Sequence, residues 1–271
     1  MSLTSRIQAL TAYANEVTGE SDTTLSDAVA TLAEGYGQGG GYSLAGIASK
    51  TEPSGELVID ATEVPTVAGY AFYENNAITS LIIRGNPTFN GNSHFAHCKG
   101  LLSVSAPDLI ASPWKCFNGC ANLASVSFPS LRYIGGDQFI EGTKITTLVL
   151  PALTGNIWSN SIRSNALLTA VDVYSPTIIK GGVFSGCTTL STFIIRQTDG
   201  VPQLENISAL GNTPFASGGT GGTLYVPQAL ISSYQSATNW STILGYTNNQ
   251  ILPIEGSIYE TQYADGTPIL M

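Results

Sequence analysis

Through the middle of the chain a large apolar residue returns at a nearly constant step. Phe72, Phe95, Phe117, Phe139, Ile162 and Phe184 follow one another at steps of twenty-two or twenty-three. Nine positions after each comes a second apolar residue: Leu81, Val104, Val126, Leu148, Val171 and Phe193. A third follows two positions later, at Ile83, Ala106, Phe128, Leu150, Val173 and Ile195. The last two positions alternate with outward ones, the period of a strand with one face buried. One short strand and one turn per step, stacked on their neighbours, account for the pattern, which therefore predicts a solenoid of short parallel strands. Pro107, Pro129 and Pro151 close three of the strands and Pro227 a later one, where ladder bonding stops.

The ends depart from this period. Leu57-Val-Ile59 reads as an irregular first strand, one slightly long step before Leu81. After Phe193 the next strand, Leu224-Tyr-Val226, arrives late, behind Gly211 and the run Gly218–Gly222. That extra length predicts an insertion before a cap. Pro227 to Trp240 reads as one amphipathic helix with proline in its first turn, placing Leu230, Tyr234 and Trp240 over an end that would otherwise be a pairing edge. At the start, Leu3, Ile7, Leu10, Ala14 and Val17 form a heptad-like seam. A second helix is predicted from Ser21-Asp22, with Leu25, Val29 and Leu32 on one face. Two such short helices are marginal alone, so they are expected to oligomerise the chain as a dimer or trimer, or to dock on the solenoid as a cap. The expected divisions are a helical segment at 1–36, a glycine-rich linker at 37–56, the solenoid at 57–226 and a cap and tail at 227–271.

Charge sharpens this division. The net charge of −9 sits at the ends: residues 1–74 carry ten acids against Arg6 and Lys50, whereas residues 75–250 carry eight basic and six acidic residues. Such a body offers no basic footprint for nucleic acid. With 43% hydrophobic and 11% charged residues, the chain can bury a large core. No window approaches the roughly 18 consecutive apolar residues of a membrane span, so none is predicted, and the opening residues lack the apolar stretch of a secretory signal.

Candidate chemistry is sparse. Cys98, Cys120 and Cys187 each stand three residues after an anchor, a slot held by Asn75 and Asn165 in other units. Cys alternating with Asn predicts a small buried side chain bonded to loop backbone; Cys116 lies outside the slot. His94, His97 and Cys98 fall short of the ligand number and spacing of a structural zinc site. His97 occupies a slot that elsewhere holds Glu74, Gly119, Glu141, Ser164 and Gly186, a mixture that predicts a solvated loop. No nucleophile elbow and no phosphate-cradling glycine loop occurs, and acids such as Asp60 and Glu63 show no calcium spacing. No cofactor, metal or catalytic residue is expected, and the chain reads as a non-enzyme. The residues flanking each inward strand position should instead form an outward ladder: Ile82, Ser105, Ser127, Val149, Asp172, Ile194 and Tyr225, beside Ser80, Ser103, Ser125, Thr147, Ala170, Thr192 and Thr223. It is nearly uncharged, with Ile82, Val149, Ile194 and Tyr225 as apolar footholds for a partner.

The pattern Phe-x-x-Cys-x-x-Leu-x-x-Val-x-Phe-Pro, as in Phe117 to Pro129, resembles the BspA-type leucine-rich repeat of bacterial surface proteins, over about Leu57 to Trp240. The resemblance implies a right-handed solenoid of the α/β leucine-rich repeat type that binds host or neighbouring-cell surfaces. The opening Ile7-Gln-Ala-Leu-Thr-Ala-Tyr-Ala-Asn15 through Leu32 to Gly37 is similar to the start of tail-associated and other structural proteins of Firmicutes phages and prophages. Together these imply a virion component, made in the host cytoplasm, that meets a bacterial surface protein or glycan and other virion proteins. A bacterial cell-surface adhesin is the alternative, and an enzyme the least favoured.

Overall fold

The computed structural model describes residues 55–260; the predicted N-terminal helices, with Leu3, Ile7, Leu10, Ala14 and Val17, lie outside them. In chain order the strands are β1 (Gly55–Asp60), β2 (Thr66–Val67), β3 (Ile78–Arg84), β4 (Thr88–Phe89), β5 (Ser103–Ser105), β6 (Phe117–Asn118), β7 (Ser125–Ser127), β8 (Ile140–Glu141), β9 (Thr147–Leu150), β10 (Ala170–Val173), β11 (Ile178–Ile179), β12 (Thr192–Ile195), β13 (Gln203–Leu204), β14 (Thr223–Val226) and β15 (Gln250–Pro253). One face of the solenoid carries two parallel sheets, β1-β3-β5-β7 and β9-β10-β12-β14-β15, and the two-residue strands pair beside them.

Register follows the sequence period. Leu57, Leu81, Val104 and Val126 are cross-strand partners, as are Leu148, Val171, Phe193, Leu224 and Ile251. Burying each such side chain is worth about 1.5–3 kcal/mol, and in-register stacking lets every turn bury its neighbour's. The anchors stack inside: the Phe72 and Phe95 rings lie 5.0 Å apart and nearly parallel, those of Phe95 and Phe117 5.7 Å apart. The Cys/Asn slot behaves as expected. Cys98, Cys120 and Cys187 are buried thiols whose Sγ atoms donate to the carbonyls of Phe72, Phe95 and Ile162 in the preceding turn. Asn165 replaces the thiol with two donations, one to the Ile140 carbonyl in the preceding turn and one to the Ile162 carbonyl in its own.

The irregular region resolves into a stretched turn. Phe184 N–H donates to the Ala209 carbonyl at 3.0 Å, the same bond that joins Phe95 to Cys116 at 3.1 Å. Leu210 therefore takes the anchor position and is buried. The extra length divides almost evenly, part between Phe184 and Leu210 and part between Leu210 and Leu224, and buried Phe215 fills the enlarged loop. The predicted single helix after Pro227 is instead a 3-10 turn at Gln228–Leu230 followed by two short helices, α1 (Ile231–Ser236) and α2 (Trp240–Leu244). Ala237 is extended and Asn239 is left-handed at φ +65°, which breaks the helix between them. Tyr234 and Trp240 are buried as predicted, while Leu230 is half-buried. These helices do not end the stack, because β15 adds a strand parallel to β14 beyond them.

Candidate functional site

The outward strand face divides into halves of different character. From β1 to β9 the ladder runs Val58, Ile82, Ser105, Ser127 and Val149, all partly or fully exposed. From β10 it is covered: Asp172 and Ile194, expected to point into solvent, are both fully buried, and Ala170 nearly so. Tyr225 and Val149 are half-buried. The expectation of one continuous exposed ladder is thus corrected for Asp172 and Ile194.

A second layer built by the chain itself explains the burial. Arg196, two residues beyond Ile194, grips Asp172 with two hydrogen bonds, Nε to Oδ1 at 2.8 Å and Nη2 to Oδ2 at 2.7 Å. Its remaining Nη1 donates to the Tyr259 carbonyl at 2.9 Å. The Tyr259 ring meets Tyr225 edge-on at 4.7 Å, so the segment after β15 returns across the outward face of β12 and β14. Burial pushes the Asp172 carboxyl above its ordinary range, and the bidentate guanidinium pulls it back in part. An isolated charge there would be expensive; the paired one holds a peptide in place. Nothing in the residue type of Asp172 distinguishes this from a solvated acid. The one sequence signal is Arg196, which follows a turn later, just past the strand position paired with Asp172.

Within the open half lies a seam. β7 and β9 share no ladder, and they bound the two sheets; the turns remain joined beside them, where Lys144 N–H donates to the Leu123 carbonyl at 2.8 Å. Ser125, Ser127 and Thr147 are exposed at the seam, and Val126, in an inward slot, is only half-buried. The seam is thus lined by small, exposed side chains.

The remaining candidates are structural. His94 is buried with Nε2 3.0 Å from the Asn90 carbonyl and its ring edge-on to Phe89. Desolvation holds its imidazole below the usual pKa. His97 is half-buried against Tyr73. Burial pushes the thiols of Cys116 and Cys120 up strongly and that of Cys187 up to about 11, which leaves them protonated and unreactive. Among the described residues no three His, Cys, Asp or Glu side chains gather closely enough to hold a metal ion, and no helix is long and apolar enough to cross a membrane.

The sequence profile of the BspA type leucine-rich repeat region matches residues 56–113 and 113–209, in six copies. The chain belongs to the BspA-type leucine-rich repeat family. Two solved structures resemble this BspA-type chain. A leucine-rich repeat protein from Bacteroides ovatus is 24% identical over 52% of the chain, with a TM-score of 0.47. The leucine-rich repeat protein of T. pallidum is 21% identical, over 71% of the chain and 84% of its own length, with a TM-score of 0.46. The chain spans 37% of the length of the Bacteroides ovatus protein. A search among curated proteins returns no match.

Proposed function

We propose that this BspA-type protein is a non-enzymatic, adhesin-like recognition protein that receives a polypeptide segment of a cell-surface partner on the open half of its strand face. The observation that carries this reading is the chain's own use of the other half, where a peptide carbonyl rests on Arg196 and a tyrosine ring on Tyr225. The open half continues that ladder. Ser105 and Ser127 let a backbone come close, and Ile82 and Val149 supply apolar contact. Residues 1–36 are assigned to oligomerisation, which would multiply a modest single-site affinity.

The test is binding of labelled full-length protein to intact bacterial and host cells. Binding should be abolished by the double variant Ser127→Arg/Val149→Arg and by protease treatment of the cells. Binding that survives either change overturns the reading. The virion setting implied by residues 7–37 would use the same face. Native protein sedimenting with phage particles selects that setting, and native protein on intact, unlysed cells selects the surface adhesin.

A further inference from the structure

Away from the strand face, large rings stand out from three consecutive turns. Trp114, Tyr133 and Trp158 are 60%, 53% and 45% exposed. Each leans on the turn after its own rather than into the core. A Cβ on Gly136 would sit 3.5–3.7 Å from three atoms of the Trp114 indole, and one on Gly155 would sit 2.7 Å from the Tyr133 ring. Lys180 Nζ lies 5.9 Å from the centre of the Trp158 ring. Two of the rings are therefore bedded on backbone that only glycine leaves bare. Trp114 and Trp158 are two turns apart, about 10 Å along the solenoid at the usual interstrand spacing.

Most charges on this side pair from turn to turn, the exception being exposed Arg132 beside Tyr133. Lys115 pairs with Asp137 at 3.7 Å, Arg163 with Glu141 at 2.8 Å and Lys180 with Glu205 at 2.7 Å. Half-buried Asn156 and Asn160 flank Trp158 and offer amide donors and acceptors. Exposed ring faces, short-range amides and a field with little net charge together describe a platform for a ligand that has apolar faces and hydroxyl edges and carries no net charge.

We propose that this row binds an uncharged hexose polymer laid across the turns, its pyranose C–H faces on the rings and its hydroxyls on the two asparagines. The proposal goes beyond the strand-face reading and uses none of its residues. A polyanion would find one cation outside these pairs, Arg132, and no basic cluster. A small apolar ligand would find no enclosing cavity, since the rings protrude.

Tryptophan emission reports directly on the row, because the chain has three tryptophans and the third, Trp240, is buried. Full-length protein is titrated with laminarihexaose, cellohexaose and mannohexaose, with polygalacturonate as the anionic comparison. At least one neutral hexaose should shift the emission to the blue and saturate, and polygalacturonate should do neither. Trp114→Ala and Trp158→Ala should each weaken binding at least tenfold, Trp114→Phe should retain most of it, and Ser127→Arg/Val149→Arg should leave it unchanged. The proposal is overturned if no neutral hexaose shifts the emission, or if polygalacturonate displaces the hexaose. It is equally overturned if the Trp114→Ala/Trp158→Ala protein, folded by circular dichroism, binds like the wild type. Cell binding that still depends on Ser127 and Val149 would leave the strand-face reading intact in each of those cases.

Discussion

Two backbone positions per turn, two residues before and two after the buried anchor, repeatedly take the left-handed conformation. The first set includes Tyr70, Ser93, Lys115 and Asn160 and the second Glu74, His97, Gly119, Ser164 and Gly186, with φ between +53° and +80°. The mixed slot after the anchor, which as sequence suggests a solvated loop, is constrained by its backbone and indifferent to its side chain. A non-glycine residue there costs about 1–2 kcal/mol. Ser164→Gly should raise the urea midpoint of unfolding. Gly186→Ala should lower it by more than the reverse gain, because a Cβ at Gly186 would also sit 3.3 Å from Ser164 Cα; equal midpoints for both variants would refute the assignment. His94 gives a pH-dependent counterpart. Its ring is buried and burial lowers its pKa, so the unfolded chain takes up this proton first as pH falls below about 6.5. Stability should thus be fully present above that value and decline as pH falls through it towards the depressed folded pKa. Replacing His94 with Gln should flatten that part of the melting-temperature profile. An unchanged slope would place the effect elsewhere.

Among elements, the strands were legible and the outward layer was not. Alternation names Leu81 and Ile83 as inward because a half-buried strand has period two, and β3 obeys it. The same rule sends Asp172 and Ile194 outward, which is correct of their direction; it says nothing of what lies over them. The cover comes from Arg196 and Tyr259, the latter several turns beyond Asp172 in the chain, and no local pattern encodes a contact of that range. Removing one partner of this buried pair strands the other charge. Asp172→Ala should therefore cost about 3–5 kcal/mol and Asp172→Leu/Arg196→Met much less. Limited proteolysis should find the chain near Tyr259 newly cleavable in Asp172→Ala. Protection equal to the wild type would mean that Arg196 does not hold the segment.

On the scale of the whole molecule, each turn of a solenoid contacts only its neighbours, so an insertion is tolerated if the next strand recovers its register. The stretched turn around Leu210 and the helices α1 and α2 do this, and Leu224 and Ile251 still fall on the inward line. The proposed oligomerisation through residues 1–36 also belongs to this scale. Deleting residues 1–36 should convert an oligomer into a monomeric solenoid by multi-angle light scattering and lower the apparent affinity for cells. A full-length protein that is already monomeric would end the oligomerisation proposal.

The sequence by itself determined the repeat, the inward positions, the Cys/Asn slot and the family, because all of these are properties of one turn repeated at a fixed step. Only the tertiary structure decided which part of the strand face stays open, where the sheet divides, and which rings stand exposed on the next turn's backbone. Those depend on turns meeting one another and on a distant segment returning across the stack, and such contacts leave no period in the chain.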